Sequence, residues 1–173
     1  MNKIFISRYR TNPVLFLSGD ITAKSVNHTI KLLLDNSEVK RINLSTHGGA
    51  VDDGLRLVSF LKGNIPDLHI HVEGYAMSMG TVILGAAKKR TMGRDSMLMY
   101  HDILGPVDGN YTTSDFEDQV RYHNFRLSLI HQIINPHKEP VVTNFLSNAF
   151  KSRRDVYIGA SEALRIGLID EII

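Results

Sequence analysis

The chain has 173 residues, 43% of them apolar and 22% charged, and its 20 Lys and Arg against 18 Asp and Glu leave a net charge of +2. With no basic run longer than Lys88-Lys89-Arg90 or Arg153-Arg154, a phosphate-tracking nucleic-acid surface is not expected. The absence of Cys excludes disulfides, thiol catalysis, Cys-ligated zinc and iron–sulfur clusters. No apolar stretch reaches the roughly 18 residues a membrane helix needs, and the amino terminus lacks a signal-peptide pattern. The expectation is one cytoplasmic domain over residues 1–173, with neither a membrane nor a nucleic acid as partner.

In chain order, Val14-Leu-Phe-Leu17 reads as a short strand closed by Ser18-Gly19-Asp20, followed by a helical spacing of Val26, Ile30, Leu33 and Leu34. Arg41-Ile-Asn-Leu-Ser45 reads as a second strand ending in the turn Thr46-His47-Gly48-Gly49. Val51, Leu55, Val58 and Leu61 then recur at helical spacing as far as Gly63-Asn64. A third strand, Leu68 to Val72, runs into Gly74-Tyr-Ala-Met-Ser-Met-Gly80. The segment Thr81 to Ala87 is small and apolar on every side, the signature of a helix buried all round. Ser96 to Tyr100 is a further strand. Repeated strand–helix units favour a mainly parallel sheet covered by helices.

The longest predicted helix runs from Thr113 to Asn135, with a capping box read at Ser114 and Glu117 and Pro136 beyond its end. Phe116, Val120, Leu127, Ile130 and Ile134 form one apolar line, with Tyr122, Phe125, Leu129 and Ile133 beside it. A stripe that wide suits either a thick core contact or a subunit interface; on the second reading, charges at Ile130 and Ile134 should separate subunits that still fold. A last pair of helices is read from Val141 to Lys151 and from a cap at Ser161 to Gly167.

Chemistry concentrates at two turns. Gly74 to Gly80 delivers Ser78 from a strand to the start of a tight helix, where free backbone N–H groups and the helix dipole stabilise a developing oxyanion. A simpler role for Ser78 is to cap that helix. A serine nucleophile needs a base, and the base an orienting carboxylate. Of eight His, His101 stands at the end of an apolar strand, where the site residues of parallel sheets collect. The others, among them His69, His71, His123 and His131, read as surface or packing residues. No H-x-x-x-H or H-E-x-x-H pair is present, so neither a metal nor another cofactor is expected. The two glycines of Ser45-Thr-His-Gly-Gly49 allow a backbone that turns its N–H groups to a ligand.

Together these segments resemble the proteolytic subunit of the Clp proteases. Gly74 to Gly80 is similar to that family's nucleophile motif, Met97-Leu-Met-Tyr-His101 to the strand ending in its catalytic His, and Ser45 to Gly49 to its N-S-P-G-G turn, with Thr46-His47 in place of Ser-Pro. Arg154-Asp155 through Asp170 is similar to its carboxyl-terminal R-D-x-F-x-[ST]-A-x-E-A-x-x-Y-G-[LI]-[VI]-D signature. The resemblance implies an α/β superhelix of β-β-α units with a projecting handle, here the helix at about 113–135. It implies a serine endopeptidase acting on unfolded polypeptides, with Ser78 as nucleophile, His101 as general base and acid, and Asp155 orienting the imidazole. The N–H groups of Gly49 and Met79 would form the oxyanion hole. It further implies a homo-oligomer, a heptameric ring or double ring enclosing a chamber, and an AAA+ unfoldase as partner.

Three departures from the family pattern point to a divergent or virus-encoded member. Only about a dozen residues precede the strand at Val14, which puts an axial gate and unfoldase docking in question. Arg153-Arg154 stands where the family has an acidic–Arg pair, and the loss of the turn's Pro predicts a looser oxyanion loop. The alternatives are an ATP-independent peptidase of the head-maturation or signal-peptide-peptidase type, a crotonase-type acyl-CoA enzyme, which would need a carboxylate acid/base in place of Ser–His, and a non-catalytic ring partner, which would lack a triad member.

Overall fold

The computed structural model describes residues 2–7, 12–103, 112–152 and 154–173. Its elements, in chain order, are β1 (Lys3–Ser7), β2 (Val14–Ser18), α1 (Ala23–Asp35), β3 (Arg41–Thr46), α2 (Val51–Asn64), β4 (His69–Met77), α3 (Met79–Leu84), β5 (Lys89–Met92), β6 (Met97–Tyr100), α4 (Thr113–Ile134), α5 (Pro140–Ser152), β7 (Val156–Gly159), α6 (Ala160–Ile166) and β8 (Glu171–Ile172). The strand expected to open the fold at Val14 is preceded by β1, which pairs antiparallel with it.

The sheet runs β1-β2-β3-β4-β5-β8, with parallel pairing from β2 to β8. β4 is long enough to serve two neighbours. Its first half pairs with β5 and its second half, Tyr75 to Met77, pairs in parallel with β6. β6 in turn pairs antiparallel with β7, placing Tyr100 opposite Val156. This branching brings the carboxyl ends of β4 and β6 and the start of β7 to one edge. Alternation along the strands supplies the core: Leu15, Leu17, Ile42, Leu44, Ile70, Val72 and Leu98 are buried, and α1, α2 and α3 add Val26, Leu57, Leu61 and Ile83. Together with Met92, Ala163 and Leu168 they form one continuous cluster.

α4 is partitioned along its length, not around its circumference. Leu127, Ile130 and Ile134 are buried, whereas Phe116, Val120, Tyr122 and Phe125 are exposed. Ile130 and Ile134 therefore belong to the core, and charges there should unfold the chain instead of separating subunits. The helix starts from a capping box formed by Thr112 and Asp115, not by Ser114 and Glu117. α6 likewise begins at Gly159 with no side-chain cap, so Ser161 lies inside the helix. Midway, Tyr122 donates a hydrogen bond to Asp52 at 3.1 Å and Arg126 lies over the Tyr122 ring, tying α4 to the first turn of α2.

Candidate active site

Ser78 follows the last residue of β4 and precedes α3, with φ 52° and ψ −119°. A non-glycine residue with positive φ is strained and persists only where its surroundings fix it. They do so here. The Ser78 N–H donates to the Met99 carbonyl at 2.8 Å, the Thr81 N–H to the Ser78 carbonyl at 3.0 Å, and the Thr81 hydroxyl lies 2.9 Å from the carbonyls of both Ala76 and Met99. All six residues of α3 are buried, so the helix behind the serine has little room to shift. Gly80 permits this closeness, because a Cβ there would meet Thr46 Cγ2 at 2.6 Å.

The capping role for Ser78 is not observed: its side chain makes no cap hydrogen bond to α3. Its Oγ lies instead 2.8 Å from Nε2 of His101, the residue just beyond β6. The elbow turns the hydroxyl away from the helix it begins and towards an imidazole on the neighbouring strand. That is the arrangement a hydroxyl needs in order to lose its proton to a base.

Asp155 stands just before β7. Extending the β6–β7 register by one pair beyond Tyr100 and Val156 sets its backbone opposite His101. Its carboxylate is exposed and accepts a hydrogen bond from the Tyr157 hydroxyl at 3.4 Å. Among the described residues it makes no hydrogen bond or ion pair with His101. The structure thus joins the first two predicted residues through their side chains and brings the third close through its backbone alone. Arg153, half of the Arg153-Arg154 pair, lies outside the described residues.

The Ser45–Gly49 turn, which lacks the Pro, is held by hydrogen bonds to the segment from Gly19 to Ile21. The Thr46 hydroxyl donates to the Gly19 carbonyl at 2.6 Å and accepts from the Gly48 N–H at 3.0 Å. Ile21 N–H bonds Gly48 O, and Ala50 N–H bonds Ile21 O, each at 2.8 Å. The His47 ring packs on Tyr75 at 4.3 Å. Gly48 has φ 99°, and a Cβ on it would meet Ser78 Cβ at 2.7 Å, so the turn passes directly over the elbow. Among the described residues, the N–H groups of Gly49 and Met79 donate to no turn, loop or cap hydrogen bond. Ser78, His101, Gly49 and Met79 all line one cavity of about 240 Å³, whose apolar walls include Val51, Val82, Leu127 and Ile130.

Two further polar pairs flank His101, and both escaped the sequence reading. The Tyr100 hydroxyl lies 2.8 Å from Nε2 of His131, and Asp102 Oδ1 lies 3.2 Å from Nε2 of His123. Burial, reinforced by the negative charge of Asp102, pushes the Tyr100 phenol far above its ordinary pKa. Burial pulls His131 below its own, against the opposing pull of Asp102. His123 and His131 sit eight residues apart on α4, so their shared face was readable; their partners, 21 and 31 residues distant in sequence, were not. Among the described residues no cluster of three or more His, Asp or Glu could hold a metal ion.

With this geometry in place, comparison with known proteins is decisive. The Clp protease family model matches residues 2–173. The chain belongs to the Clp protease family. It is a peptidase of that family, and its α/β architecture is the family's fold. Among its relatives, it is 30% identical over 174 residues to the ATP-dependent Clp protease proteolytic subunit 1 of Borreliella burgdorferi, covering 96% of this chain and 87% of that protein. It is 28% identical to the proteolytic subunit 1 of Prochlorococcus marinus and to the proteolytic subunit of Streptococcus gordonii, with the same coverage. Among the described residues no helix is long and apolar enough to cross a membrane.

Proposed function

We propose that this protein is a serine endopeptidase that cleaves unfolded polypeptides with Ser78, His101 and Asp155, inside an oligomeric ring, as the proteolytic component of an ATP-dependent Clp-type protease. The observation that carries the reading is the strained Ser78, held in a left-handed backbone, with its hydroxyl 2.8 Å from His101. A serine serving only structure has no need of that strain.

In the proposed reaction, His101 Nε2 takes the Ser78 hydroxyl proton while Oγ bonds to the substrate carbonyl carbon. The C=O electron pair moves onto oxygen, which the Gly49 and Met79 N–H groups receive. His101 then returns the proton to the amide nitrogen, the C–N bond breaks and the amine leaves, with Ser78 acylated. Water repeats the sequence: His101 takes its proton, hydroxide adds to the acyl carbon, and Ser78 Oγ leaves with that proton, freeing the carboxylic acid. Asp155 stabilises the imidazolium in both halves. From its backbone position opposite His101, a side-chain rotation away from Tyr157 supplies that contact.

The ring is supported by the exposed aromatic residues of α4, which a second copy would cover, and the ATP-driven partner by the names of the relatives. The test is degradation of an unfolded protein such as casein by the purified assembly. Steady cleavage that disappears in Ser78→Ala supports the proposal, and equal cleavage by the variant overturns it.

A further inference from the structure

Nothing in the mechanism uses Asp102, yet it lines the same cavity as the nucleophile. Among the described residues lining that cavity it is the one carboxylate, and no Lys or Arg accompanies it. Its Oδ1 accepts the Ile103 N–H at 2.7 Å and approaches His123 at 3.2 Å. Oδ2 takes part in no hydrogen bond among the described residues. The Asp102 side chain is about one-third exposed, and Val82, Leu127 and Ile130 line the same cavity.

We propose that this cavity selects a Lys or Arg side chain on the substrate residue that acylates Ser78, with Asp102 Oδ2 as the acceptor for the cationic head; the inference rests on the peptidase reading above. That residue's carbonyl carbon bonds to Ser78 Oγ, so its side chain is the one that begins beside the nucleophile and enters the space between Met79 and α4. Val82, Leu127 and Ile130 suit the methylene stem, which keeps its charge at the far, polar end. An apolar side chain of similar length would fill the same space but strip water from Asp102 without replacing it. A carboxylate side chain would add repulsion. Discrimination therefore has both an attractive and a repulsive component.

The experiment uses the assembled protein and a series of peptidyl-coumarin amides differing only in that residue: Lys, Arg, Leu, Met or Glu. Labelling of the wild-type protein by an uncharged fluorophosphonate, run in parallel, reports on the peptidase reading by itself. The expected profile has kcat/KM for Lys and Arg about 10- to 100-fold above Leu, with Glu lowest. Asp102→Asn should reduce the Lys-to-Leu ratio by about the same factor, mainly through KM. His123→Ala, which leaves Oδ1 with the Ile103 N–H alone, should raise the ratio a few-fold. A labelled wild-type enzyme that prefers Leu or Met overturns this inference while leaving the peptidase reading standing, and so does a ratio unchanged in Asp102→Asn. If Asp102→Asn does not fold, the wild-type profile and its weakening by salt decide. A wild-type protein that takes no label overturns both.

Discussion

α3 and α4 put their apolar residues to opposite uses. α3 has six residues, all buried, and holds the backbone behind Ser78 from every side. α4 has 22 residues, of which Leu127, Ile130 and Ile134 are buried, and its amino-terminal part carries Phe116 at 57% and Phe125 at 61% exposure. Their compositions already differ, since α3 has no charged residue and α4 carries Asp115, Glu117, Asp118, Arg121 and Arg126. What separates them is whether the chain itself supplies the covering surface. On the proposed function, the strained Ser78 needs a rigid mount within its own subunit, whereas the exposed Phe116 and Phe125 would be covered by another copy. The boundary between the two uses falls at Leu127, which lines the cavity and marks where α4 enters the core.

The sharpest way to break this contrast is to act on the mount. Ser78→Ala should lower kcat about 10⁴- to 10⁶-fold without lowering thermal stability, because it removes the hydroxyl that meets His101 and leaves the packing around the turn in place; kcat on a peptide amide and a melting curve check this. On the proposed triad, Asp155→Asn should cost about 10²- to 10⁴-fold in kcat, since the residue would act through His101 and not on substrate. A loss under threefold would mean that Asp155 stays with Tyr157 and takes no part. Gly80→Ala forces a methyl group towards Thr46, whose hydroxyl also bonds Gly19 and Gly48 in the Ser45–Gly49 turn. It should cost about 1–3 kcal/mol of stability by overpacking, measured by urea unfolding, and lower activity at least tenfold.

The exposed part of α4 should behave differently. Phe116→Glu with Phe125→Glu should leave the circular dichroism spectrum of the subunit intact and shift sedimentation towards smaller species. The same charges at Ile130 and Ile134 should abolish the fold. If the first pair also unfolds the subunit, the division along α4 is wrong. The smallest expected effect is on pH dependence. Burial holds His131, and to the same sign His69 and His71, below the ordinary value of 6.5. The unfolded chain therefore binds protons that the folded one resists, so stability is full above about pH 6.5 and declines as pH falls below it. His131→Gln, which keeps a partner for the Tyr100 hydroxyl, should flatten that decline by up to one proton in urea unfolding at pH 7.5 and 5.5.

Much of the fold could be read from periodicity. The buried alternation of β2, β3 and β4 and the helical spacing of α1 and α2 are strong signals, because each element buries one regular face. β5, β7 and β8 were missed for a physical reason: they are two to four residues long and take their stability from neighbouring strands, so their sequences show little pattern of their own. The capping box of α4 was displaced because Thr112 and Ser114 each stand three positions before an acidic residue, Asp115 and Glu117, and only tertiary context chooses between them. Ser78 and His101 were readable because both follow strands at a turn. The side-chain direction of Asp155 was not, since a rotamer beside Tyr157 leaves no trace in sequence, nor do the pairings of Asp102 with His123 and Tyr100 with His131, which depend on how α4 packs in three dimensions.

The central claim is that Ser78 is an activated nucleophile, and the most direct measurement is intact-mass and peptide-level analysis after exposure to a fluorophosphonate. The account predicts one adduct per subunit, on Ser78, that is lost in His101→Ala while Ser161 and other surface serines stay unmodified. An unmodified Ser78, or an adduct that forms equally well without His101, would contradict it.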